Sequence, residues 1–108
     1  MRITTDEMEK AVLYLSETDE ELARRKAYFS GLDRQTKTIK AMAFMRSNES
    51  SVTAREQAAF VSPPYRQHLD QIQIAEQEYL TLHEKRATAV ITIDCWRSLN
   101  AARSRGIT

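Results

Sequence analysis

Residues 65–100 read YRQHLDQIQIAEQEYLTLHEKRATAVITIDCWRSLN, and how this stretch folds decides the architecture. Every seventh residue from Tyr65 gives Tyr65, Ile72, Tyr79, Arg86, Ile93 and Asn100, and beside them run His68, Ala75, Leu82, Ala89 and Trp96. Mostly apolar residues alternating at spacings of three and four over this length mark a helix with a coiled-coil-like seam. One segment pulls the other way. Thr88 to Trp96 (TAVITIDCW) is rich in β-branched residues and suits a strand by propensity. No second such run is present to pair with it, and a lone strand leaves its backbone unpaired. Helix prevails.

The same phase runs through the first part of the chain. One row is Met8, Leu15, Leu22, Phe29, Thr36 and Ala43; its companion is Ala11, Thr18, Arg25, Leu32 and Ile39. A threonine at 4 or 5 can cap this arm, with Asp6 and Glu7 well placed in the first turn. Thr18 to Glu21 is a capping box that allows a kink, but the heptad phase passes through it without slipping. The spacing therefore predicts one helix over about 4–46, ended by the turn-forming Ser47-Asn-Glu-Ser-Ser51. A connector over 47–61 holds a short helix opened by the box Thr53-Ala-Arg-Glu56, ending near Phe60. Ser62 followed by Pro63 and Pro64 starts the second arm, which runs over about 62–103. Two arms of similar length joined by a short connector predict an all-α antiparallel hairpin, a single helical domain spanning 1–108.

Charge follows the same plan. Residues 1–22 carry two basic and seven acidic groups, and residues 23–46 carry seven basic and one acidic. Residues 67–84 hold four acidic groups and no Lys or Arg, while 86–108 hold four basic and one acidic. Antiparallel pairing that sets Phe29 near Leu82 and Leu15 near Trp96 opposes these blocks, as flanking charges do in coiled coils. The same register brings Arg25 and Arg86 together on the seam, where they need a carboxylate such as Glu21 or Glu84, or an anionic ligand.

Apolar residues around Val90, Ile91, Ile93, Cys95 and Trp96 spread beyond one narrow stripe. A helix apolar on several sides is contacted from several sides. Val90, Ile91, Cys95 and Trp96 are therefore candidates for self-association, most simply two hairpins joined into a four-helix bundle through a C2 interface, or a larger oligomer.

Composition excludes several classes. Two glycines and two prolines leave too few turns for a many-stranded β fold. Hydrophobic residues make up 42% and charged residues 29%, too apolar for a disordered chain. The single Cys95 has no internal partner, which suits a reducing compartment. The opening Met-Arg-Ile-Thr-Thr-Asp-Glu has no apolar stretch of the kind a signal peptide needs, and no run is long enough to span a membrane. A cytoplasmic location is expected, with no membrane partner.

Catalytic chemistry finds no footing. Cys95 lies twelve residues from His83, roughly 18 Å of helical rise, too far for a nucleophile and its base. Neither His68 nor His83 has a glutamate three residues before it, so the Glu-x-x-His pairs of bundle di-iron sites are missing, and zinc spacing is missing too. Gly31 and Gly106 are isolated, so there is no phosphate-binding glycine loop. The chain is expected to be no enzyme, with no cofactor, no metal and no small-molecule substrate.

Binding is easier to place. Met42, Phe44 and Met45 end the first arm, and Phe60 and Val61 lie across the turn. They either close the hairpin tip as a small core or form an adaptable patch for a protein partner. A second reading rests on basic residues. Arg34, Lys37 and Lys40 share a helix face, and Arg97, Arg103 and Arg105 accompany Trp96 near the C-terminus, as a single-strand nucleic-acid binder requires. A net charge of +1 is modest for a dedicated binder of that kind.

The stretch Ile93 to Gly106, above all Trp96-Arg97-Ser98-Leu99-Asn100, resembles small helical accessory proteins encoded in tailed-phage and prophage genomes, often near recombination genes. Thr18 to Lys26 and Ser62 to Tyr65 are similar to them as well. The resemblance implies an accessory factor in the host cytoplasm that acts on DNA metabolism or on a host protein. The expectation is a non-enzymatic, homo-oligomeric interaction protein engaging a protein of recombination, repair or host defence; the alternative is a single-stranded nucleic-acid binder.

Overall fold

The computed structural model describes residues 2–106. Among the described residues the fold is an all-α helical hairpin of three helices: α1 (Thr5–Arg46), α2 (Val52–Phe60) and α3 (Pro63–Ser104). Thr4 caps α1, its Oγ1 accepting from the Glu7 amide at 3.1 Å. The helix then runs without interruption to Arg46. Thr18 does not start a new helix, because its hydroxyl donates to the Tyr14 carbonyl at 2.7 Å, one turn back. The β-branched stretch of α3 is accommodated in the same way. Thr88 Oγ1 donates to the Glu84 carbonyl and Thr92 Oγ1 to the Thr88 carbonyl, so neither hydroxyl competes with the helix. The start of α2 departs from expectation. Ser51, not Thr53, is its cap, accepting from the Ala54 amide at 3.1 Å.

The chain forms two compact units, both crossed by the long helices. Unit 1 comprises residues 1–23 with 80–108, and unit 2 comprises 24–79. Unit 1 is an antiparallel helix pair, and unit 2 adds the short α2 to such a pair. In unit 1, Ile3, Ala11, Leu82 and Ala89 are buried. Arg86 crosses the seam: its Nη1 donates to the Leu15 carbonyl at 2.8 Å and to Thr18 Oγ1 at 2.7 Å, and its Nη2 donates to Asp19 Oδ1 at 2.6 Å. Trp96 Nε1 donates to Thr5 Oγ1 at 3.3 Å. In unit 2, Ala59, Tyr65, His68 and Ala75 are buried, and His68 Nε2 is hydrogen-bonded to the Thr36 hydroxyl at 3.2 Å. Phe29 stacks on Tyr79 with ring centroids 6.1 Å apart, and Arg25 Nη1 donates to the Glu78 carbonyl at 3.0 Å.

These pairings correct the expected register. Phe29 meets Tyr79 instead of Leu82, and Trp96 meets Thr5 instead of Leu15. Arg86 finds its partners at Thr18 and Asp19, one heptad before the expected Arg25, and Arg25 donates instead to the Glu78 carbonyl. Two causes act together. Head-on guanidinium groups on a seam would repel, whereas the shifted register gives each arginine oxygen acceptors. The connector also takes up length. The last turns of α1 pack on α2, where Met42, Ala43 and Arg46 line a groove with Ala58 and Pro64. Among the described residues no helix is long and apolar enough to cross a membrane.

Candidate interaction surfaces

Both units bury little. Among the described residues, Ile3, Tyr65 and Leu82 are the only large apolar side chains that are buried, the remaining buried apolar positions being alanine. Twelve large apolar side chains among the described residues are exposed. Contiguous exposed apolar residues are therefore the candidate contact surfaces.

In unit 1 the exposed apolar residues are one-sided. Counting Met8 and Tyr65 as position a of the heptad, Val12 and Val90 fall at e, Leu13 and Ile91 at f, and Leu80 at b. Reversing one helix of a pair sets e beside e and g beside g, so these five occupy one flank of the seam. Ile91 is 61% exposed and Leu13 56%. The opposite flank is polar: Glu7, Lys10, Tyr14, Lys85, Thr88 and Thr92 line a shallow depression there. Of the residues expected to self-associate, Val90 and Ile91 are therefore on a common exposed face. Cys95, at position c, and Trp96, on the seam, are half-buried apart from it. Val12 and Leu13 were missed. They sit off the a and d rows, and the e-to-e proximity that joins them to Val90 depends on antiparallel pairing.

At the connector in unit 2, Met42 lines a groove of about 470 Å³ with Ile39, Ala58, Pro64 and the buried His68, with Arg46 and Gln71 at its polar margin. Phe60 and Val61 line a second cavity, of about 420 Å³, with Lys40, Glu56 and Gln57. The expected tip patch is thus divided: Met42 belongs to one groove and Phe60 with Val61 to another. Met45 is exposed and Phe44 half-buried.

Phe60 carries an electrostatic arrangement that sequence alone does not suggest. The Arg66 guanidinium lies 4.6 Å from its ring centroid and Lys40 Nζ lies 5.8 Å from it. Lys40 Nζ is also 5.9 Å from the Tyr65 ring, so both cations lean on an aromatic pair whose centroids are 6.1 Å apart. Arg34 and Lys37 are exposed, and among the described residues neither they nor Lys40 or Arg66 have a carboxylate within 4.0 Å. At the other end of α3, Arg97 pairs with Asp94 at 3.9 Å, and Arg103 and Arg105 are exposed.

Compared with protein-family models, with curated proteins and with solved structures, the chain matches none of them.

Proposed function

We propose that this chain is a non-enzymatic interaction protein that works as a homo-oligomer in the host cytoplasm, an accessory factor of phage type that engages a protein of DNA recombination, repair or host defence. The observation that carries this reading is the excess of exposed over buried large apolar side chains. The one-sided face of unit 1 takes a second copy. Five aliphatic residues there, each about half exposed, offer roughly 6 kcal/mol per copy, taking about 1.5–3 kcal/mol for full burial of each. Two copies offer about 12 kcal/mol. Association costs at least 4 kcal/mol and often more; about 6 suits a face already ordered on helices. The net of about −6 kcal/mol corresponds to a dissociation constant of tens of micromolar. The groove at Met42 is the place for a segment of the protein partner.

Analytical ultracentrifugation over a concentration series tests the self-association. A monomer–dimer equilibrium is expected in the micromolar range, abolished by Ile91→Asp, which sits on the exposed face. A mass that stays monomeric at every concentration would overturn the reading, as would association that Ile91→Asp leaves unchanged.

A further inference from the structure

The charged residues of unit 2 are arranged differently from what block complementarity demands. The expected register sets the basic part of α1 against Glu76, Glu78 and Asp70 of α3. The observed pairing of Thr36 with His68 slides Lys37 and Lys40 toward the start of α3 instead. Residues 62–69 contain no acid and contribute Arg66. Over residues 34–69 the chain has six basic groups and two acidic ones, a net of +4, against +1 for the whole. The acids bordering this face are Asp33, Glu56 beside Lys40, and Asp70; among the described residues none of them pairs with Arg34, Lys37, Lys40 or Arg66.

We infer that the row of Arg34, Lys37 and Lys40 along α1, joined by Arg66 where Lys40 and Arg66 lie over the exposed ring of Phe60, binds single-stranded nucleic acid. Four cations without carboxylate partners meet a phosphate backbone without first breaking ion pairs. Arg34, Lys37 and Lys40 step along α1 at about 4.5 Å each, a row of roughly 9 Å that reaches one phosphate and the next. The rings of Phe60 and Tyr65 hold Lys40 and Arg66 in place, lowering the conformational freedom lost on binding. Phe60 and Val61, both exposed, give an unstacked base an apolar surface. Duplex DNA keeps its base faces stacked and cannot use that surface, so single strands are preferred. Nothing in this site depends on the apolar face of unit 1.

The test is fluorescence anisotropy of a labelled oligo-dT, the duplex of matching length, and a labelled poly-glutamate peptide, against the full chain. With four phosphate contacts, single-strand affinity falls about 50-fold between about 50 and 200 mM salt. The double variant Arg34→Glu/Lys37→Glu alters exposed side chains that contact no aromatic ring, so folding is retained and checked by circular dichroism. It is expected to weaken binding at least tenfold at the lower salt and to cut the salt effect to about sevenfold, since two contacts remain. Lys85→Glu, a single charge reversal in unit 1, is expected to stay within about twofold of the parent, because the effect is local. Absence of binding at the lower salt overturns the inference, as does an equal loss from Lys85→Glu. A duplex or a poly-glutamate peptide bound as tightly as oligo-dT overturns it too.

Discussion

Replacing Arg86 separates two things this residue does on the seam of unit 1. Arg86→Ala removes bonds to the Leu15 carbonyl, Thr18 Oγ1 and Asp19 Oδ1, together with the packing of the aliphatic stem. The first question is whether any acceptor is stranded. The Leu15 carbonyl lies inside α1 and keeps the bond every interior helical carbonyl makes. Thr18 Oγ1 still donates to the Tyr14 carbonyl. The Asp19 side chain is 65% exposed and is solvated at once, whereas that of Arg86 is only 18% exposed. No buried group is orphaned, so the large penalty for breaking a buried pair does not apply.

What remains is modest. The bonds contribute about 1–2 kcal/mol net, and the lost stem with its small void contributes about 1 kcal/mol more. Arg86→Ala is expected to cost about 2–3 kcal/mol. Arg86→Met loses the same bonds but keeps an unbranched stem on the seam, so it should cost about 1–2 kcal/mol, about 1 kcal/mol less than Arg86→Ala. Asp19→Ala, which removes only a largely solvated carboxylate, should cost less than about 1 kcal/mol. Urea unfolding followed by circular dichroism measures all three, at one fixed protein concentration and with unchanged slopes as a condition. The reasoning is refuted if the Met variant is as damaged as the Ala variant. The lost bonds would then account for the whole cost and the packing of the stem for none of it.

Two further outcomes follow from single contacts. Gly31 lies inside α1 with nothing within 4 Å of where a Cβ would stand, so Gly31→Ala should stabilise the protein by about 0.5–1 kcal/mol in the same urea titration. Thr36→Val takes away the hydroxyl bonded to Nε2 of His68, whose ring is buried at 4% exposure; a loss of about 1–3 kcal/mol is expected, and a neutral result would mean that this bond carries no net stability.

Local features of the sequence were legible because their causes are local. The heptad rows, the Ser62-Pro63 start of α3 and the polar run after Arg46 each act within one or two turns, and the helices begin and end there. The cap of α2 was read two residues late. Ser51 and Thr53 can both cap, but starting from Ser51 lengthens a helix of only nine residues, where each added bond counts. Register was not legible, because it depends on how much of α1 the connector covers and on which oxygens the seam arginines reach. Errors in register propagate to the surface. The charge blocks of the two arms look mutually satisfied when Lys37 and Lys40 are set against acids, and unsatisfied when they are slid past them. Apolar Val90 and Ile91 were visible as residues off the seam, whereas Val12 and Leu13 join them only once the helices are paired e to e.

The seam itself explains why so much apolar surface stays outside. Ala11, Ala75 and Ala89 occupy positions where a self-sufficient pair of helices would place leucine or isoleucine. Small residues there let the backbones approach but bury little area, while Leu13, Ile74 and Ile91 are turned outward. A stable domain needs two packed layers around a core, and one pair of helices is a single layer. This distribution fits a layer whose missing half comes from another molecule. It also orders the two proposed activities by what they need. The proposed use of the apolar face of unit 1 needs a second molecule, whereas the basic and aromatic face of unit 2 is already held by contacts within its own unit. Binding at the second can therefore persist in a variant that has lost the first.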